Sequence, residues 1–289
     1  MREVAFAKGH GTLNDFVLIT DPEDTLHLSD DEIRFLCHRR AGIGGDGVLR
    51  AVRARHVPGW AGDPDLWFMD YRNADASIAE MCGNGLRVFI RYLLEEGLAS
   101  GPTVTVLTRA GLRRGTVLED SRIEVTMGRV RVDPVRVQVT VGGLSSSGVP
   151  VDVGNPHVVS TVATSAELDR LDLQHAPVWE PADRFPDGVN AEFVHAIRDG
   201  HLRMRVHERG VGETWSCGTG IVACAAAVAA STGSSRARWT VEVPGGTLQV
   251  LLGADEARLI GPAEVLARGH VRISTGVVPS AGPGMAGGL

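Results

Sequence analysis

Two short motifs, repeated in the two halves of the chain, constrain it more than any other feature. Met81-Cys82-Gly83-Asn84-Gly85-Leu86 is matched by Ser216-Cys217-Gly218-Thr219-Gly220-Ile221, and each motif opens an apolar helical stretch. A polar triplet lies nine residues before each cysteine, Asn73-Ala74-Asp75 in one half and Glu208-Arg209-Gly210 in the other. Each half also carries an earlier asparagine in a turn, Asn14 and Asn155. Two copies of one supersecondary plan predict a pseudo-two-fold molecule with a cleft between its halves.

Composition removes several function classes. A formal charge of −6 argues against a general nucleic-acid or anionic-membrane binder, which would carry a basic surplus. Lys8 is the only lysine, so a Schiff-base cofactor would have to sit on it. It is followed by Gly9 and His10, which excludes a Walker-type phosphate loop. No apolar run approaches the roughly 18 residues that span a bilayer, and the N-terminus lacks a signal-peptide layout. The four cysteines form no C-x-x-C pair, so free thiols and a cytoplasmic location are expected.

The patterning is strand-rich, with one long apolar helix per half. Helices are expected over Asp30 to Arg39, where Ser29 and Glu32 form a capping box, over Arg87 to Glu95, and over Ile221 to Ala230. The last is so poor in polar residues that it should be buried on all sides. Strands are expected at Val4–Lys8, Val48–Val52, Trp67–Tyr71, Ile123–Met127, Asn190–Ala196, Leu202–Glu208 and Glu264–Ile273, among others. The fold class is therefore α/β (α+β), each half a β-rich shell around a central helix. We divide it into a first domain, 1–128 with 271–289 returning to it, and a second domain, 129–270. Gly142 to Gly148 reads as a loop, and the Gly/Ala/Ser/Pro tail 280–289 as disordered.

Cys82 and Cys217 each precede two glycines and a helix. A helix N-terminus offers unpaired N–H groups and a positive dipole end, which favour an anion and lower a thiol's pKa. Two such thiols, related by the repeat, can face one reaction centre from opposite sides. Inverting a stereocentre beside a carboxylate needs a proton removed from one face and another delivered to the opposite face. The two helix ends would stabilise the charge that builds on that carboxylate.

With these motifs in view, the chain resembles the diaminopimelate epimerase family along essentially its whole ordered length. The resemblance rests on the segment Phe6 to Phe16, Gly42-Ile43-Gly44-Gly45-Asp46-Gly47, Asn73-Ala74-Asp75 and the first cysteine motif. It continues through Gly154-Asn155-Pro156-His157, Gly188-Val189-Asn190, Glu208-Arg209-Gly210 and Thr214 to Gly220. It implies a cofactor-independent enzyme acting on the small molecule diaminopimelate, usually as a homodimer, without nucleic-acid or membrane partners. By the same resemblance Cys82 and Cys217 are the acid/base thiols, with His157 and Glu208 helping them ionise as Cys82–His157 and Cys217–Glu208 pairs. Asn73, Asn155, Asn190 and Arg209 would hold the distal end of the substrate, with Asn14 close by. Backbone amides of Gly83, Asn84, Gly218 and Thr219 would grip the reacting carboxylate. The chain departs from the pattern at Gly47, where many members carry a glutamine that lines the pocket.

Other readings stay open at this point. Cys37 and Cys224 read as small buried hydrophobes, and Trp215 as a packing residue. Gly42-x-Gly44-x-x-Gly47 matches the dinucleotide fingerprint but follows a helix and precedes a strand, the wrong order. A proline or hydroxyproline racemase on the same scaffold, a two-cysteine redox protein and a non-catalytic binding module are the alternatives.

Overall fold

The structure, a computed structural model, describes residues 2–273; the tail expected to be disordered lies outside the described residues. The first half runs β1 (Arg2–Gly11), β2 (Asn14–Thr20), α1 (Asp30–Cys37), β3 (Gly47–Arg53) and β4 (Trp67–Asn73). It continues with α2 (Gly83–Glu95), β5 (Thr103–Thr108), β6 (Gly111–Val117) and β7 (Ile123–Gly128). β8 (Arg131–Val132) and β9 (Val137–Val141) lead into β10 (Leu144–Asp152), β11 (Pro156–Thr161), α3 (Ser165–Arg170) and β12 (Val178–Glu180). β13 (Asn190–Arg198), β14 (His201–Glu208), β15 (Gly212–Thr214) and α4 (Gly218–Thr232) follow. β16 (Arg238–Val243), β17 (Gly246–Leu252), β18 (Ala257–Gly261) and β19 (Glu264–Ile273) complete the fold.

The repeat in the sequence is a repeat in topology. One half orders its strands β19-β1-β2-β3-β4-β5-β6-β7, with β2–β3 and β4–β5 parallel. The other orders them β9-β10-β11-β13-β14-β16-β17-β18, with β11–β13 and β14–β16 parallel. Parallel neighbours require a crossover; α1 and α3 lie in the first crossover of each half, α2 and α4 in the second. β7 pairs with β18 and joins the halves into one mixed sheet. All of β19 lies along β1, from Arg2↔Ile273 to His10↔Glu264, so the boundary expected at 270/271 falls inside a single strand.

Each central helix is wrapped by its own half. α2 packs against β1, β2, β6, β7 and β19 with Leu86, Val88, Phe89, Ile90 and Leu93 buried. It begins at Gly83, four residues before the periodic run, because Cys82 caps it by accepting from the Gly85 N–H. Every residue of α4 from Gly218 to Val228 is buried, as its composition predicts, and its alanines let eight strands approach. The α1 capping box forms between Ser29 and Glu32, and the helix stops at Cys37 rather than Arg39.

Two expectations are corrected. Gly142–Gly148 is not a loop: Gly142 and Gly143, at φ 53° and 84°, make the tight turn of a β9–β10 hairpin, and Leu144–Gly148 pair with β9. A Gly-Gly pair between strands is itself a hairpin signal, masked here by the serines that follow it. Trp215 does not pack inside; it is 60% exposed.

α2 and α4 meet end to end. A Cβ on Gly218 would lie 3.0 Å from Gly83 Cα and 3.1 Å from the Asn84 nitrogen, both backbone atoms. A Cβ on Gly83 would meet the flexible end of Met127 instead. Gly218→Ala is therefore expected to destabilise by about 1–3 kcal/mol, and Gly83→Ala by clearly less. Denaturant unfolding of the two variants checks this, and equal losses would contradict the backbone contact.

Candidate active site

Cys82 and Cys217 are the N-cap residues of α2 and α4, so the meeting of the helices brings both thiols to one place. The Cys82 sulfur accepts from the Gly85 N–H at 3.4 Å and lies 3.6 Å from Asn14 Oδ1, to which its thiol donates. Cys217 lies 3.6 Å from the Thr219 hydroxyl. Glu208, at the end of β14, acts on both: its charge pushes each thiol's pKa up. A short contact from the Thr214 hydroxyl holds the other side of its reach.

A buried hydrogen-bond network locks the two helix ends together. Asn84 Nδ2 donates to the Ser216 carbonyl and hydroxyl, both at 3.0 Å, and the Ser216 hydroxyl meets that of Thr12 at 2.9 Å. Arg87, wholly buried, donates to Asn84 Oδ1 at 2.9 Å, Thr12 Oγ1 at 3.3 Å and the Gly83 carbonyl at 3.2 Å. No carboxylate pairs with it among the described residues. Burial draws its pKa down to about 10, which leaves it cationic at neutral pH. Arg87 was not singled out in the sequence, where it reads as one more arginine in a helix.

Asn14 is held from two sides. Its Nδ2 donates to Asp46 at 2.7 Å, leaving Oδ1 to face Cys82 and the Asn84 amide. Asp46 and Asp15 are bound in turn by Arg39, and Asp15 also by Lys8 at 2.5 Å. The single lysine is thus spent on a structural ion pair.

His157 has both ring nitrogens occupied. Nδ1 lies 2.7 Å from Glu192 Oε1 and Nε2 lies 2.9 Å from Asn155 Oδ1, whose Nδ2 reaches Thr219 at 3.4 Å. Asn155 Oδ1 only accepts, so Nε2 carries a hydrogen and one further proton lies between Nδ1 and Glu192. These contacts join His157 to Glu192 and, through Asn155 and Thr219, to Cys217; no hydrogen bond joins it to Cys82. Glu192 escaped the sequence reading. Its signal is parity: it shares a strand face with Asn190, and its immediate neighbours Ala191, Phe193 and Val194 are apolar. A Cβ on Gly220 would lie 2.5 Å from its Oε1, so the helix start is cut away to admit the carboxyl.

The remaining residues are less closely gathered. Asn190 Oδ1 accepts from the Arg209 backbone N–H at 2.9 Å, and the Arg209 guanidinium donates to the Asp187 carbonyl at 3.2 Å. Asn73 spends its amide on the Ser77 hydroxyl at 2.9 Å. Glu208 and Arg209 do not pair with each other. Cys37 and Cys224 are buried and make no side-chain hydrogen bond among the described residues.

The family model "Diaminopimelate epimerase" matches residues 6–132 and 149–266. The chain belongs to the diaminopimelate epimerase family. It is thereby an enzyme of the isomerase class. Among curated relatives, the diaminopimelate epimerase of Thermobifida fusca is 48% identical over 276 residues, covering 93% of this chain and 98% of its own. That of Streptomyces coelicolor is 47% identical, covering 92% and 95%. Among solved structures, a hydroxyproline epimerase from Agrobacterium vitis with bound trans-4-hydroxy-L-proline superposes with a TM-score of 0.68 at 16% identity, over 93% of this chain and 92% of its own. A PhzF-family phenazine biosynthesis protein from Bacillus anthracis does so at 0.68 and 15%, over 94% and 100%. These two share the fold.

Both thiols carry the opposite electrostatic balance from a bare helix end. Burial comes first and pushes Cys82 up to about 11, against the pull of the Gly85 and Asn84 N–H groups and Arg87. Cys217 is pushed up further, by burial and then by Glu208 and Glu192. Cys82 is the less buried of the two and is the one an alkylating agent reaches. Its thiolate fraction grows about tenfold per pH unit below its pKa. Iodoacetamide labelling of Cys82, followed by peptide mass spectrometry, is expected to rise at that slope from pH 7 to 9. A plateau in that range would contradict the burial effect.

Proposed function

We propose that the chain interconverts L,L- and meso-diaminopimelate by a two-base mechanism that needs no cofactor. The observation that carries this reading is the paired N-cap cysteines on abutting helices, with the charge of one carboxyl, Glu208, acting on both. For one direction, Glu208 takes the Cys217 proton, and the Cys217 thiolate removes the α-proton of the substrate. Negative charge spreads from the α-carbon into the adjoining carboxylate. The N–H groups of Gly83, Asn84, Gly218 and Thr219 stabilise that charge, with the Arg87 cation behind them. The Cys82 thiol then delivers its proton to the opposite face, leaving a thiolate. The reverse direction exchanges the two roles.

Asn73, Asn155, Asn190 and Arg209, with Asn14 nearer Cys82, serve in this reading as the clamp for the distal amino-carboxylate end. His157 and Glu192 set the charge around Cys217 and orient Asn155. The division into two domains and assembly as a homodimer belong to the same proposal. Relatives at 43–48% identity favour diaminopimelate over proline as substrate.

Reduced protein incubated with L,L-diaminopimelate in D2O, with proline in parallel, tests the proposal by NMR. Deuterium is expected at the α-carbon together with meso product, and each of Cys82→Ala and Cys217→Ala should lose at least about 10²–10⁴-fold. Exchange with proline alone would overturn the substrate, and no exchange at all the acid/base reading. Glu208→Gln keeps the shape but cannot accept the thiol proton. It is expected to lower kcat by about 10²-fold or more and to leave KM for diaminopimelate within a few-fold, as steady-state kinetics will show.

A further inference from the structure

The two thiols differ in what hydrogen-bonds them. Cys82 takes a cap bond from a backbone N–H, that of Gly85. Cys217, its counterpart in the repeat, makes no side-chain cap bond. Its sulfur meets the Thr219 hydroxyl instead, at 3.6 Å. The repeat puts Asn84 where the second half has Thr219, and the Asn84 amide is spent on Ser216 and Asn14. The Thr219 hydroxyl therefore attends one thiol and has no twin at the other.

The direction of that contact is set from its far side. Thr219 is 7% exposed, and its hydroxyl makes one other hydrogen bond among the described residues, with Asn155 Nδ2 at 3.4 Å. An amide nitrogen only donates, so Thr219 Oγ1 accepts there, and its own hydrogen is left with the Cys217 sulfur as acceptor. His157 turns Asn155 this way round: Nε2 donates to Asn155 Oδ1 at 2.9 Å, which leaves the nitrogen end for Thr219. Glu192 holds His157 in turn, 2.7 Å from Nδ1, and both residues are wholly buried. The Glu192 carboxyl is seated at Gly220, where a Cβ would lie 2.5 Å from its Oε1. The chain Glu192–His157–Asn155–Thr219 thus ends in a hydroxyl hydrogen directed at sulfur.

We propose that Thr219 is a further catalytic residue, its hydroxyl donating to the Cys217 sulfur and stabilising it as a thiolate, with Glu192, His157 and Asn155 as the positioning residues that aim it. This donor rests on the proposed two-base reading and adds to it a group that serves one thiol alone. The hydrogen stays on the hydroxyl oxygen throughout. Its bond strengthens when the sulfur gives up its proton and weakens when the sulfur takes the α-proton of the substrate. The same contact draws the proton affinity of Cys217 down, against burial and the acids beside it. Asn155 keeps a second amide hydrogen with which to meet the substrate.

Thr219→Val removes the hydroxyl and keeps the branched shape and the backbone N–H; Thr219→Ser keeps the hydroxyl. Steady-state kinetics with L,L-diaminopimelate should show kcat lowered about tenfold or more in Thr219→Val, the worth of a hydrogen bond to a charged group, with KM little changed and Thr219→Ser close to the parent chain. Primary isotope effects on kcat/KM with α-deuterated L,L- and meso-diaminopimelate supply the readout that a structural role would not move. Losing the donor raises the barrier of the Cys217 step and not that of the Cys82 step. The isotope effect should therefore rise for the isomer whose α-proton goes to Cys217 and fall for the other. Asn155→Asp turns an acceptor to Thr219, draws its hydrogen off the sulfur and should split the two isotope effects in the same sense. An active parent with unchanged kcat in Thr219→Val overturns this donor alone, as do isotope effects that change equally for the two isomers. Isotope effects left together in Asn155→Asp overturn the aiming of the hydroxyl. A parent inactive on diaminopimelate overturns the substrate reading and this donor together.

Discussion

The structure turns on the contact between two helix N-termini. Helix ends of the same sign repel, and a buried arginine behind them adds a third positive source. What holds the arrangement is a set of short polar links: Asn84 to Ser216, Ser216 to Thr12, and Arg87 to Asn84 and Thr12. Each group in this set has a partner, which keeps the cost of burying it low. The glycine at 218 lets the backbones close to contact distance. The result is a desolvated positive junction with no carboxylate on the arginine among the described residues, an environment whose natural counter-charge is an anion from outside.

Everything around that junction supplies the opposite property. Glu208, Glu192 and Asp46 surround the thiols with acids, and burial raises the proton affinity of all three. A carboxylate at the helix ends and an ammonium beside the acids satisfy both fields at once. That pairing of charges is the signature of an α-amino acid. In the proposed mechanism the thiols, their proton affinity raised by burial, stand between the two fields, with a carboxyl to take a proton when the ligand arrives.

Much of this was legible beforehand where one residue type has one physical use. Cys-Gly-x-Gly before an apolar helix marks a cap with a close backbone approach, and both copies prove to be caps. The capping box at Ser29 and the all-buried Ala-rich helix follow from local chemistry in the same way. The sequence misled where a pattern has two uses. Glycines and serines at 142–148 are common to loops and hairpins, and only the partner strand β9 distinguishes them. Cys82–His157 is a pairing that spacing cannot test; in the fold His157 turns to Glu192 and Asn155. Strands β11 and β18 are short, and each is held by a more distant strand, β13 or β7, as well as by its sequence neighbour.

By itself, the sequence determined the repeat, the placement of the two thiols just ahead of the central helices, and the family. These depend on interactions within a few residues or on a pattern copied whole. Only the tertiary structure decided that the two starts touch, and that Glu192 and Arg87 lie buried beside them in hydrogen bonds with His157 and with Asn84. Those facts depend on side chains brought together from opposite halves, and on burial, which sets the charge state of every one of them. Desolvation has no one-dimensional signature: the same cysteine at the same helix end is acidic in water and basic in a dry cleft.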